Sequence, residues 1–365
     1  MQKIDMRTEI FQPAQADTAG RIAPRRQWLL LAGVITAVLL IGLLSVAIGS
    51  VFIPPLTTLK ILLARVPLVR IDADWPSTFD TILFDIRLPR VVLVGLTGAA
   101  LACSGTAYQG LFRNPLADPY LIGVASGAGL GAIGAIALQI AHPVFGPLLV
   151  PLGAFAGALV TVALVYAIGQ VGRTTPITTL VLAGVAIGAL ATACATFVLL
   201  RMSSQTGRVL AFLLGGYGSS GWSAVLAVAP FTLVGFVLLY LHARPLNLLL
   251  FDVEQAQQLG VNVERTALVV IVAATLTTAA AVAFSGLIGF VGLIVPHTAR
   301  LLVGADHRRL LPLATLGGAG FLLLADLLGR TAIAPEELPL GVITALVGAP
   351  FFLWLLRRAR RRTGF

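Results

Sequence analysis

Apolar runs of about twenty residues, each closed by a short polar or proline-bearing stretch, recur from Trp28 almost to the last residue. A hydrocarbon layer about 30 Å thick asks for about 20 residues of helix rising about 1.5 Å each. The pattern therefore predicts ten spans, at 28–50, 91–112, 120–140, 147–169, 177–200, 224–242, 265–285, 286–303, 310–328 and 339–356. The expected fold is an all-α membrane protein, a polytopic bundle of ten transmembrane helices. The seventh and eighth spans abut at Ser285-Gly286, and the even number places both termini on one side. A basic segment, 1–27, precedes the spanning domain at 28–358, and a basic tail, 359–365, follows it. The first run is longer than the ~7–15 residues of a signal-peptide core, so it reads as a retained span.

Composition agrees: 58% of the 365 residues are hydrophobic and 11% charged, with a mean hydropathy of +0.97. The net charge of +10 does not point to nucleic acid, because Lys and Arg gather at span ends and termini without interleaved aromatics. If the termini are cytoplasmic, 17 of the 25 Lys and Arg lie inside, which is the bias that orients membrane proteins. One outer segment resists it: residues 51–90 hold Lys60, Arg65, Arg70, Arg87 and Arg90. The 38 glycines, many within spans, let helix backbones approach closely.

Catalytic chemistry is sparse. The two lysines, Lys3 and Lys60, follow no Gly-x-x-x-x-Gly pattern, so the chain has no phosphate-cradling loop and does not itself hydrolyse ATP. No nucleophile elbow and no His-Glu-x-x-His pair occurs, which points away from an enzyme. Cys103 and Cys194 sit in apolar runs and read as small hydrophobes. In "GFVGLIVPHTARLLVGADHRRLLP" (289–312), His297 and Arg300 share a helix face at a span end. Further metal ligands are not indicated, so with His307, Arg308 and Arg309 they mark a cytoplasmic face rather than a metal site.

Asp326, in "FLLLADLLGR", is a carboxylate deep in an apolar run. It is either a proton or ion relay or the partner of Arg330 four residues on. The loop at about 245–264, "RPLNLLLFDVEQAQQLGVNVERT", predicts a short surface helix capped by Asp252 and ended by Gly260. Val253, Ala256 and Leu259 fall on one face and Glu254 and Gln258 on the other. Such a helix either lies at the membrane interface or docks into a groove on a soluble partner.

Four stretches carry a family resemblance: "RLPRVVLVGLTGAALACSGTAYQGLFRNPLADPYLIGVASGAG" (87–129), "LLLFDVEQAQQLGV" (248–261), "GLIGFVGLIVPHTARLLVGADHRRLLP" and "LLLADLLGRTAIAPEELPLGVITALVGAPFFLWLLRR" (322–358). In this order, from about Trp28 to the C-terminus, the chain resembles the FecCD-type permeases of type II ABC importers, which carry ferric siderophores, haem and cobalamin. The vitamin B12 permease is a close relative by motif, and "FLLGGYGSSGW" (212–222) leans the same way. The resemblance implies a homodimer in the bacterial inner membrane, with two cytoplasmic ATPase subunits and a periplasmic or lipid-anchored substrate-binding protein. ATP and Mg would belong to the ATPase, with no cofactor bound by this chain. Arg87, Arg90 and Arg330 match arginines that meet acidic residues of the binding protein. Asp252, Val253, Glu254, Ala256, Leu259 and Gly260 match the helix that couples to the ATPase, although Asp252 and Val253 stand where Gly and Glu are common. Ile177 and Thr178 match the cytoplasmic gate, and His297, Arg300 and Arg308 lie near the motor. The competing class is an ion-coupled secondary transporter using Asp326.

Overall fold

The computed structural model describes residues 24–49, 51–65, 74–141, 146, 148–170, 172, 176–202, 205–217 and 221–363. Most of the basic N-terminal segment, Arg70 and 218–220 of the "FLLGGYGSSGW" stretch lie outside them. The described chain is helical, with no strand. α1 (Pro24–Ala47) and the short α2 (Pro55–Ala64) are followed by α3 (Ser77–Thr81), which runs through a π-helical stretch, Ile82–Arg87, into α4 (Leu88–Leu111). A 3-10 turn, Pro119–Ile122, leads into α5 (Val124–Ala141), then α6 (Leu149–Gly169), α7 (Ile177–Leu200), α8 (Thr206–Leu213) and α9 (Trp222–Leu241). Short helices α10 (Ala243–Leu249) and α11 (Val253–Gln258) precede α12 (Val263–Ser285), α13 (Val291–Val303), α14 (His307–Thr331) and α15 (Leu340–Thr363).

Each of the ten apolar segments contains a helix, and among the described residues seven stretches are long and apolar enough to cross a membrane: Gln27–Ala47, Ser77–Leu111, Leu149–Gly169, Ile177–Leu200, Trp222–Leu241, Val263–Ser285 and His307–Thr331. α13 is where the pattern misleads. The 286–303 run is not one helix: residues 286–290 are irregular and α13 has 13 residues, about 20 Å of rise. Gly286 (φ +70) and Phe290 (φ +69) both take left-handed backbone. Leu287 N–H donates to the Phe212 carbonyl (3.0 Å), so α8 satisfies the backbone that the helix gives up.

α4 is the axis of the bundle, packed against α14, α12, α13 and α9 and buried along most of its length. Its neighbours come close because glycine faces glycine. A Cβ on Gly98 would overlap the Gly318 carbonyl, and one on Gly105 the Gly292 carbonyl. α5 and α6 interlock similarly through Gly127 and Gly131 against Gly153 and Gly157, each pair spaced i, i+4. Polar ties fix the register: the Tyr108 hydroxyl meets Thr275 Oγ1 at 3.0 Å, and Ser104 Oγ donates to the Ala274 carbonyl at 3.2 Å. α1, by contrast, presents mostly bare apolar side chains such as Trp28 and Leu39, as expected of a helix at the lipid boundary.

Candidate functional site

Two clusters of polar side chains lie at opposite ends of the α4–α14 pair. At the first, Asp326 is 1% exposed, and its Oδ2 accepts from Arg330 Nε at 2.8 Å, the i, i+4 pairing legible in the sequence. Its Oδ1 accepts from Arg90 Nε (3.2 Å) and Nη2 (3.0 Å), a partner 236 residues away. Arg90 also grips Glu337 (Nη2–Oε2 2.8 Å, Nη1–Oε1 3.2 Å). Arg330 donates onward to the carbonyls of Ile48 (3.0 Å) and Ser45 (2.9 Å), at the end of α1. Arg87 donates to Val46 (2.8 Å), Ala47 (2.9 Å) and Val51, lying so close to Gly49 that a Cβ there would meet its guanidinium. Arg87 and Arg330 thus satisfy the carbonyls that α1 leaves open at its C-terminus, while Arg90 ties Asp326 to Glu337. The three arginines also converge on an open cleft of about 470 Å³ that Glu337 shares.

The four described cations of the 51–90 segment each have a contact within the chain. Lys60 pairs with Asp74 at 2.7 Å, Arg65 lies 4.8 Å from the centre of the Phe84 ring, and Arg87 and Arg90 are held as above. Lys60 and Arg90 are thus paired with carboxylates, whereas Arg87 and Arg65 keep their charge while bonded to carbonyls and set over an aromatic ring, respectively. Arg90 keeps the most accessible guanidinium of the Arg90–Asp326–Arg330 group, its side chain 24% exposed against 8% for Arg330.

At the opposite end, the loop helix is built by its own sequence. Asp252 Oδ1 accepts from Val253 N–H (2.6 Å) and starts α11. Gly260 (φ +83) ends it, with Gly260 N–H donating to Gln257 and Val261 N–H to Ala256, the paired bonds of a Schellman cap. Ala256 alone is fully buried. Leu259 is 67% exposed, not inward with Val253 and Ala256: it is the residue on which the helix ends, and the three-residue period stops there. Phe251, just before the helix, is 74% exposed. Two large apolar side chains therefore flank a short capped helix, and Phe251 had only its position before a capping Asp to mark it.

Behind α11, a cavity of about 250 Å³ joins Val253 and Gln257 to Pro176 and Ile177, at the start of α7, and to Leu111 and Arg113 at the end of α4. Ile177 is half-buried and Thr178 exposed. The structure thus brings the predicted gate beside the predicted coupling helix. Under this region, Asn247 of α10 latches the start of α14: its Oδ1 accepts from His307 N–H (2.8 Å) and meets His307 Nδ1 (2.8 Å), while its Nδ2 donates to Asp306 (2.6 Å). His307 is fully buried against Gly110. Arg300 turns inward to Gln109 Oε1 (3.1 Å). Both ring nitrogens of His297 are buried, and the ring lies edge-on to Phe351. Arg308 stays exposed. Gln109 and Asn247 had no signal in the sequence beyond being polar residues at helix ends.

A helical bundle with buried charge at one end, and at the other a self-capped surface helix sharing a cavity with the start of a long apolar helix, fits a membrane transport protein. The chain belongs to the FecCD transport family, whose model matches residues 36–358. It is 47% identical over 286 residues to the cobalamin import system permease protein of Halobacterium salinarum, covering 77% of this chain and 75% of that one. It is 45% identical over 298 residues to the hemin transport system permease protein of Yersinia pestis, covering 80% and 86%. Among solved structures it is similar to a metal-chelate-type ABC transporter in an inward-facing conformation, with a TM-score of 0.77, 30% identity, and coverage of 90% of this chain and 99% of that one.

Proposed function

We propose that this chain is the permease subunit of a binding-protein-dependent ABC importer of the bacterial inner membrane, moving an iron complex, haem or cobalamin by ATP-driven alternating access. It works as a homodimer of ten-span subunits with cytoplasmic termini, beside two ATPase subunits and a periplasmic or lipid-anchored binding protein. The observation that carries this reading is the loop end. α11 offers Phe251 and Leu259 to a groove on a partner, and its inner side shares a cavity with Ile177. A push on the docked helix is then delivered where Ile177 and Thr178 narrow the path, and bulk there closes it by sterics and dewetting. At the other end, the cleft lined by Arg87, Arg90 and Arg330 receives an acidic side chain of the binding protein. Arg90 is its accessible guanidinium and the half-exposed Glu337 the carboxylate that an incoming acid displaces. The 1–27 segment and 359–365 tail flank the spanning domain on the cytoplasmic side, where exposed Arg308 faces the motor while His297 and Arg300 turn inward beneath it.

Ion coupling through Asp326 has little support: both carboxylate oxygens are held by guanidinium groups, leaving no oxygen free for a travelling ion. The test is uptake into proteoliposomes holding this chain with its ATPase and binding protein. Cobalamin, haem and a ferric siderophore are each offered, with internal ATP or an imposed ion gradient. ATP-dependent uptake of one ligand is expected; gradient-driven uptake without the ATPase overturns the assignment. A second outcome concerns α11 itself. Replacing Phe251 and Leu259 by Asp is expected to weaken ATPase binding by about 30-fold per anchor, the effect of losing a hot-spot contact of about 2 kcal/mol. Because neither side chain supports the bundle, the melting temperature of the permease alone should hold. Co-purification of the ATPase at wild-type yield would remove α11 from the coupling path.

A further inference from the structure

α9 and α14 each pack on α4 but barely on one another. Between them lies an open apolar recess of about 830 Å³, with Leu96 and Ala99 of α4 as its floor and Pro230, Leu233, Pro312 and Leu316 among its walls. The two prolines are interior to α9 and α14, where each removes a ladder bond from its helix. The two hydroxyls in the recess are already used: Thr232 donates to the Val228 carbonyl (3.1 Å) and Thr315 to that of Leu311 (2.7 Å). Nothing in the wall asks for a polar ligand.

The mouth of the recess is different. Arg308 precedes Pro312 by four residues and Leu316 by eight, so it stands on the same face of α14. It is exposed, and its guanidinium has no partner among the described residues, whereas neighbouring Arg309 lies 3.8 Å from Asp306. Arg244, also exposed and without a side-chain partner there, is three residues before Asn247, whose amide holds Asp306 at the start of α14. Asp306, the carboxylate at this mouth, is occupied by Asn247 and by the backbone N–H of Arg308. Two guanidiniums without a carboxylate partner among the described residues therefore lie beyond the α10 end of the recess, Arg308 one turn before Pro312 and Arg244 one turn before Asn247. Eight residues from Arg308 to Leu316 rise about 12 Å, which fits within one leaflet of a hydrocarbon core about 30 Å thick.

We propose that this recess holds an acyl chain of an anionic phospholipid from the leaflet on the α10–α11 side, with Arg308 and Arg244 binding its phosphate. The recess selects for hydrocarbon and the mouth for negative charge. In a zwitterionic lipid the ammonium offsets the phosphate, and the preference is lost. The site requires that the chain span a membrane, but not that it import anything, so its test is independent of transport.

The full-length chain, purified in detergent, is offered equal amounts of phosphatidylglycerol and phosphatidylcholine, and retained lipid is counted by native mass spectrometry. Two basic contacts predict about 30-fold preference for phosphatidylglycerol. Arg244→Gln with Arg308→Gln should bring the two lipids to parity, Arg308→Lys should keep the preference, and Ala229→Trp, which fills the recess, should lower retention of both. Thermal unfolding of each variant establishes that it is folded. Parity in the wild-type chain, retention of neither lipid, an unchanged preference in the Gln double variant, or undiminished binding in folded Ala229→Trp each overturns the proposal.

Discussion

Asp326→Asn is expected to destabilise the folded bundle by about 3–5 kcal/mol, the cost of removing one member of a buried ion pair. The side chain keeps its shape but loses the charge that faces Arg90 and Arg330. Glu337, half exposed, is left as the carboxylate balancing two guanidinium groups. The damage should spread to α1, whose last carbonyls are held by Arg330 and by Arg87 beside it. Thermal unfolding of the purified chain reads the effect directly. Combining Asp326→Asn with Arg90→Gln should recover part of the loss, because one of the stranded cations is gone. A single variant that melts with the wild type contradicts the structural role. A wild-type chain that takes up ligand on an ion gradient alone, with a folded Asp326→Asn variant that does not, would instead restore Asp326 as a coupling site.

A leucine at Gly105 or Gly98 should prevent correct assembly altogether. Added bulk in a packed interior ordinarily costs about 1–3 kcal/mol by forcing side chains aside. Here the obstacles are the backbone carbonyls of Gly292 and Gly318, which have no rotamer to change, so α4 would have to part from α13 or α14. The comparison that gives the result meaning is Gly134→Leu in α5, a glycine with no neighbouring atom in the way. That substitution should be tolerated, and on helix propensity alone should gain somewhat less than about 1 kcal/mol. Yield of monodisperse protein and melting temperature compare the three variants. Equal behaviour would mean that the α4 seam can open freely.

Much of the architecture is legible because lipid forces backbone satisfaction to be local, so each long apolar run has little choice but to become a helix. The caps of α11 are legible for the same reason of locality: Asp252 and Gly260 act on backbone within a few residues. The Asp326–Arg330 pair is a one-turn neighbour and equally readable. What escapes is contact between distant segments. Nothing near Arg90 announces Asp326, nothing near Asn247 announces His307, and the inward turn of Arg300 toward Gln109 depends on how α4 and α13 cross. The break at Gly286–Phe290 escapes as well, because hydropathy continues through it while the backbone turns to meet α8. Leu259 misled for a smaller reason, since helical periodicity was extended one residue past the end of a six-residue helix.

The construction of α11 bears on how such a protein changes over evolutionary time. Its shape depends on two caps and one buried methyl group, that of Ala256, while Glu254, Gln255, Gln258 and Leu259 are exposed and line no cavity behind the helix. Those four positions can change without disturbing the bundle, so under the docking role proposed for α11 mutation there alters the fit to the partner and little else. Partner specificity would then reside in one short helix whose sequence can be rewritten without refolding the bundle around it.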